Sequence, residues 1–194
     1  MIILASTSPT RQTLLRNAGI DIRAERPNVD ERALVARNPQ WAPPIIAHQL
    51  AKAKATDVSM RHPGAITIGA DQVLAAGYRV FNKPADIDDC RAQLLALRGQ
   101  SHRLISTVCC ACDGVEVWTY TDTAVLRMRD FSPSFLDQYL HRNGAACMSS
   151  VGGYQLESLG IQLFENVTGD YFTILGLPLV PLLNHLRLIG KIPA

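Results

Sequence analysis

The sequence predicts an α/β protein built on a mixed β-sheet flanked by helices. Three observations point there. A short apolar run, Ile2-Ile3-Leu4-Ala5, passes at once into a polar segment with the signals of a helix start, and later helical stretches separate further strands at crossover length. Tight turns such as Asp113-Gly114 also join strands directly, so the sheet holds both parallel and antiparallel neighbours.

The first strand is Ile2–Ala5, and Ser6-Thr7-Ser8-Pro9-Thr10-Arg11-Gln12 opens a helix that ends before Gly19. Ser8 is placed to cap it, and Pro9 suits the first helical position because it has no N–H to leave unpaired. The other amides of this turn face outward, where a helix N-terminus favours an anion. With the hydroxyls of Ser6 and Ser8 and the forked guanidinium of Arg11, the strand–turn–helix can cradle phosphate. An ordinary capped helix with a surface arginine explains the same residues equally well.

Ile20–Ala24 alternates like a strand and runs into a loop from Arg26 to Glu31 with two adjacent acids. A helical period covers Trp41–Met60, with Pro43-Pro44 in its first turn and Lys52 and Lys54 further along. Ala65–Ala70 is a strand with Asp71 at or near its end, and Val73–Ala76, Gly77 and Val80-Phe81 suggest a hairpin closed by Asn82-Lys83-Pro84. Asp86–Leu97 is a helix with an acidic first turn and Gly99 after its end. Strands His102–Ala111 and Val115–Met128 follow. Then come a helix from Ser132 or Pro133 to His141, a glycine-bearing loop over 144–160, a hairpin from Ile161 to Leu175 over Thr168-Gly169-Asp170, and a last helix opened by Pro178. No repeat or linker interrupts this order, so one domain is expected over 1–194.

Composition narrows the partners. With 47% hydrophobic and 19% charged residues the chain can build a real core, and a net charge of +2 gives no global field for nucleic acid or a membrane surface. No stretch approaches the ~20 apolar residues of a membrane span, and no charged-then-apolar leader precedes the first strand. Five cysteines, an odd number on apolar stretches, suit a reducing cytoplasm. Cys109-Cys110-Ala111-Cys112 lacks the paired C-x-x-C spacing of a zinc site and has no histidine beside it, so it reads as packing.

Phosphate-loop, dinucleotide and H-E-x-x-H signatures are absent. What recurs instead is a polar residue at the end of an apolar element: Arg11, Glu31, Lys52 and Lys54, Asp71, Lys83. Cations at 11, 54 and 83 with carboxylates at 31 and 71 are the ingredients for a polyphosphate bridged by a divalent metal. Taken singly, each lysine reads more readily as a solvated surface charge, and Asp71 more readily as the cap of a turn.

Together they resemble the Maf family, relatives of the inosine triphosphate pyrophosphatases. Its opening S-x-S-P-x-R is here Ser6–Arg11, and its L-A-x-x-K-A is Leu50–Ala55. Its G-[AS]-D is Gly69-Ala70-Asp71, its K-P is Lys83-Pro84, and its G-x-x-H is Gly99–His102. The closing G-D-Y…V-G-L-P matches Gly169-Asp170-Tyr171 and Leu175–Pro178.

The resemblance implies an inosine triphosphate pyrophosphatase-like fold with a cleft between two lobes. It also implies hydrolysis of nucleoside triphosphates to monophosphate and pyrophosphate with Mg²⁺ or Mn²⁺, in the cytoplasm and often as a homodimer. Asp71 would bind metal, with Glu31, or take a proton from water. The two roles compete, because a carboxylate held by a cation loses basicity. Arg11, Lys54 and Lys83 would hold the triphosphate, whereas Lys52 falls on a variable position of the motif. Ser6, Ser8, Thr10, Gln72 and Glu157 would contact substrate. Gln72 with Glu157 looks like the 7-methyl-GTP branch: a carboxylate accepts from N1–H and N2–H₂ of guanine but would face acceptors on uracil. Thr10 replaces the arginine or tryptophan of other members, which implies looser selection. Two rival readings are a dTTP- or UTP-preferring or broad enzyme, and a nucleotide-binding regulator of cell division.

Overall fold

The computed structural model describes residues 1–193. Its strands β1 (Ile2–Leu4), β2 (Arg23–Ala24), β3 (Ile66–Ala76), β4 (Arg79–Phe81), β5 (Ser101–Cys112), β6 (Val115–Met128) and β7 (Phe164–Thr168) form a seven-stranded sheet in the order β2-β1-β3-β5-β6-β7, with β4 paired to β3. The chain divides into two compact units, Met1–Gln72, Ile105–Thr123 and Asp170–Ala194 in one, and Val73–Leu104 and Ala124–Gly169 in the other.

In the first unit β1 (Ile2–Leu4) lies parallel to β2 (Arg23–Ala24) and to β3 (Ile66–Ala76), with Ile2 opposite Ile66 and Leu4 opposite Ile68. Parallel neighbours need crossovers, supplied by α1 (Pro9–Asn17) and then by α2 (Glu31–Ala36) and α3 (Pro43–Ser59). Strand alternation sorts the core. Ile2, Leu4, Ile66, Ile68 and Ala70, with Val108 and Cys110, meet Leu15 of α1 and Leu179, Leu182 and Leu186 of α7 (Leu179–Leu188). On the opposite face Ile3 and Ala5 meet Val58, and Cys109 and Ala111 meet Ala51 and Ala55 of α3. Ala47, Ala51 and Ala55 recur every fourth residue and are fully buried, so α3 lies close to the sheet.

All five cysteines are free, and Cys109 and Cys110 take opposite faces of β5 (Ser101–Cys112), as packing residues do. Asp113 and Gly114 join β5 to β6 (Val115–Met128) with φ of 50° and 78°, the left-handed pair that matches strand twist in a two-residue hairpin.

The second unit pairs β3 with β4 (Arg79–Phe81) and β6 with β7 (Phe164–Thr168), both antiparallel. It also carries α4 (Ile87–Leu97, capped by Asp86) and α5 (Pro133–Asn143, capped by Ser132). Inside it His102 Nε2 lies 2.6 Å from the Tyr154 hydroxyl, Tyr154 meets Phe164 edge to face at 4.8 Å, and the Tyr139 hydroxyl donates to Gly153 O at 2.9 Å. These contacts fix the backbone that leads into Gln155-Leu156-Glu157.

Four sequence expectations are corrected. Residues 20–22 are not strand, because only Arg23 and Ala24 find partners on β1. Asp71 stands in mid-strand, since β3 runs unbroken through residues 66–76. The loop holding the two acids ends in a helix, with Asp30 capping α2 and Glu31 its first residue. No hairpin spans 161–175: Asp170 caps a short helix, α6 (Tyr171–Ile174), by accepting from Thr173 N at 2.9 Å.

Burial lowers the His102 pKa from 6.5 to about 4, so the folded chain resists a proton that the unfolded chain accepts. Its contribution is therefore complete above pH 6.5 and lost as pH falls through about 4, on the order of 3 kcal/mol at full effect. Urea denaturation between pH 4 and 7 should show this loss in the wild type and a flatter profile in His102→Gln.

Candidate active site

Two serines of the first turn are held by the backbone N–H groups they accept from. Ser6, buried at the end of β1, accepts from Ser8 N at 3.1 Å, and Ser8 accepts from Arg11 N at 3.4 Å. Arg11 turns its Nε onto Gly176 O at 2.8 Å. Thr10, half-buried, has no side-chain hydrogen bond among the described residues.

Lys54 is the centre of the set. Its Nζ donates to Asp71 Oδ1 at 2.7 Å and lies 2.9 Å from Glu31 Oε2, so one ammonium bridges two carboxylates. The lysine and Asp71 side chains are 8% and 10% exposed, whereas Glu31 is 46% exposed, so only one end of the bridge is open to solvent.

The meeting follows from packing. Gly69 and Asp71 share a face of β3, and Ala51 and Ala55 lie over Gly69 so closely that Lys54, between them in sequence, reaches the strand two residues on. Glu31 arrives from the other side on a clasped loop. Arg61 Nε donates to Glu25 Oε1 at 2.9 Å, its Nη2 to Arg26 O at 3.1 Å and its Nη1 to Asp57 Oδ2 at 2.7 Å. Asp57 in turn accepts from Asn28 N at 2.8 Å. Hydrogen bonds from Arg61 and His62 hold the Glu25 carboxyl below its usual pKa.

Burial raises the Asp71 pKa, against the pull of Lys54 and Arg11, and burial lowers that of Arg11, against Asp71 and Glu31. Gln72 faces away from Asp71 and donates through Nε2 to Ser106 Oγ, Thr173 O and Ile174 O at 2.9–3.0 Å. Its amide nitrogen is thereby committed within the protein.

Thus Ser6, Ser8, Arg11, Glu31, Lys54, Asp71 and Gln72 all belong to the first unit. Lys52 does not join Asp71. It lies 3.2 Å from Glu116, which His48 also contacts at 2.8 Å, because two residues along a helix turn the side chain to another face. Lys83 and Glu157 belong to the second unit, both exposed and without an ion pair among the described residues. Ser106, Asp122 and Thr173 were not singled out by sequence. Only the closing G-D-Y…G-L-P pattern marked their neighbourhood.

The donors suit a hard divalent cation. Two carboxylates already share one positive group, and magnesium takes one or two carboxylates with phosphate and water oxygens. Among the described residues there is no group of three or more His, Cys, Asp or Glu that could hold a metal ion.

The family described as Maf-like protein matches residues 1–189. The chain belongs to the Maf family. Among Maf relatives it is 49% identical to the 7-methyl-GTP pyrophosphatase of Mesorhizobium japonicum, over 98% of this chain and 97% of that one. It is 50% identical to the nucleoside triphosphate pyrophosphatase of Paramagnetospirillum magneticum, over 98% and 99%. A solved nucleoside-triphosphatase / dITP/XTP pyrophosphatase from Mycobacterium abscessus aligns over 99% and 97% at 15% identity with a TM-score of 0.44, too loose a likeness to bear on the site.

A Cβ at Gly69 would overlap the Ala51 carbonyl oxygen and stand 2.7 Å from Ala55 N. Gly69→Ala should push α3 off β3, lowering stability by about 1–3 kcal/mol in chemical denaturation. Activity should fall further than stability explains, because Lys54 rides on α3.

Proposed function

We propose that this Maf protein hydrolyses a nucleoside triphosphate to the monophosphate and pyrophosphate, with a guanine-type base such as 7-methyl-guanine preferred. The observation that carries the reading is the single ammonium of Lys54 bridging Asp71 and Glu31 beside Arg11, in a chain about half identical over its length to pyrophosphatases. Five free cysteines support action in a reducing compartment such as the cytoplasm.

The formal charges of Arg11, Lys54, Glu31 and Asp71 cancel, so a triphosphate needs more positive charge than these four supply. A divalent cation held by Glu31, the exposed carboxylate, would add it and draw electron density from the phosphate oxygens, leaving Asp71 its basicity. Arg11 and Lys54 hold the phosphate chain and stabilise charge on the departing pyrophosphate. Water attacks the α-phosphorus, the bond from that phosphorus to the bridging oxygen breaks, and pyrophosphate leaves with that oxygen. Asp71 takes the water proton. Burial raises its pKa and so suits it to this role, while exposed Glu31 is the better cation ligand.

Glu157 reads the base. A carboxylate accepts from both guanine donors, whereas a pyrimidine carbonyl opposite it leaves acceptors facing each other, which costs about 1–3 kcal/mol per unpaired group.

Pyrophosphate release from 7-methyl-GTP, GTP, UTP and dTTP with Mg²⁺ or Mn²⁺ tests the reading. The guanine nucleotides should lead, and best use of UTP or dTTP would overturn the base assignment. Asp71→Asn should keep its circular dichroism and lose about 10²–10⁴-fold in turnover. Glu157→Gln should narrow the guanine preference by roughly a few-fold to a hundredfold, since an amide can present donor or acceptor.

A further inference from the structure

The closing motif, Asp170-Tyr171 through Gly176-Leu177-Pro178, has no part in the reaction described above, yet it is tied into the structure more heavily than a short turn requires. α6 has four residues, too few to hold a helical turn without outside support. Asp170 caps it, and three neighbouring strands each send a side chain to it. The Thr173 hydroxyl donates to Asp122 Oδ2 of β6 at 2.7 Å. The Thr173 carbonyl accepts from Ser106 Oγ of β5 at 2.7 Å and from Gln72 Nε2 of β3 at 3.0 Å, and Gln72 also reaches Ile174 O at 2.9 Å. Thr173 is fully buried, and its hydroxyl, carbonyl and N–H are all paired.

Two residues beyond this knot stands Gly176, whose carbonyl receives Arg11 Nε at 2.8 Å. Gly176 has φ +89°, and a Cβ there would lie 3.4 Å from Arg11 Nη2 and 3.7 Å from Gln72 Cδ, so its backbone rests against both side chains. An arginine on the first turn of a helix otherwise carries about 2 kcal/mol of rotamer freedom. Fixing Nε on a carbonyl sets the plane of the guanidinium and leaves its two terminal nitrogens to meet an anion as a fork.

We propose that the 170–176 turn is the device that aims Arg11, and that Thr173 and Asp122 are positioning residues for phosphate binding, acting through the Gly176 carbonyl. This rests on the reading of Arg11 as a phosphate ligand. A structural tether alone would stabilise the fold without regard to Arg11, whereas a positioning tether loses its effect on catalysis once Arg11 is gone.

The test pairs a readout that needs no turnover with one that does. The Arg11 Nε–H proton resonance, identified by its loss in Arg11→Lys, should exchange slowly with solvent in the wild type. Thr173→Val keeps the side-chain volume and removes the bond to Asp122. It should speed that exchange and lower kcat/KM by about tenfold, the scale of one lost hydrogen bond. Thr173→Ser should restore both, and Asp122→Asn should weaken both without disturbing the core if the valine variant fails to fold. In an Arg11→Ala background Thr173→Val should leave kcat/KM unchanged. Unchanged exchange in Thr173→Val and Asp122→Asn, or equal losses of kcat/KM in both backgrounds, would overturn the inference. A wild type that hydrolyses no nucleotide while the exchange responds as expected would overturn the activity and leave the positioning role standing.

Discussion

An ammonium held between a buried carboxylate and an exposed one is the contact around which the first unit is arranged. Taking Lys54 and Asp71 out of solvent is unfavourable unless both are well paired, and removing one partner from such a pair typically costs about 3–5 kcal/mol. The geometry must therefore be supplied by the surrounding backbone. The alanine face of α3 against Gly69 sets the distance from helix to strand. The Arg61–Asp57–Glu25 clasp sets the approach of the loop that ends at Glu31. Two elements that meet by packing, and one tied on by exposed ion pairs, thus converge on one nitrogen.

Much of this was legible before the structure, for identifiable reasons. Ser8-Pro9 announces α1 because capping and proline geometry are local, and Asp113-Gly114 announces its hairpin because left-handed conformations favour those residues. The charged set Arg11, Glu31, Lys54 and Asp71 could be assembled from motif positions. Its convergence could not be read, because it depends on α3 settling on β3.

The failures have physical causes too. Ile20–Ile22 has the strand alternation, yet strand formation needs a partner and β1 offers room for two residues. Asp71 looked like a strand end because polar residues usually mark ends; here Lys54 satisfies the carboxylate and the strand runs on through it. Lys52 and Lys54 are alike in residue type; the motif position separates them, and helical rotation is the reason, turning Lys52 to Glu116 and Lys54 to Asp71. Thr173, Ser106 and Asp122 escaped because their chief business is with main-chain carbonyls and with one another, which leaves no spacing signature.

Arg11 leans on a main-chain carbonyl rather than on a carboxylate. No substitution at position 176 can delete that acceptor, because every amino acid carries one. Sequence drift can disturb it only by moving the chain, which the left-handed φ of Gly176 and the neighbouring guanidinium both resist. The acceptor itself survives any replacement at 176, but a side chain there strains the left-handed φ and meets the guanidinium, so the anchoring of this cation is sensitive to backbone displacement. Natural variants that alter it would be found among the residues that hold the turn in place, some distance along the chain from the arginine they affect.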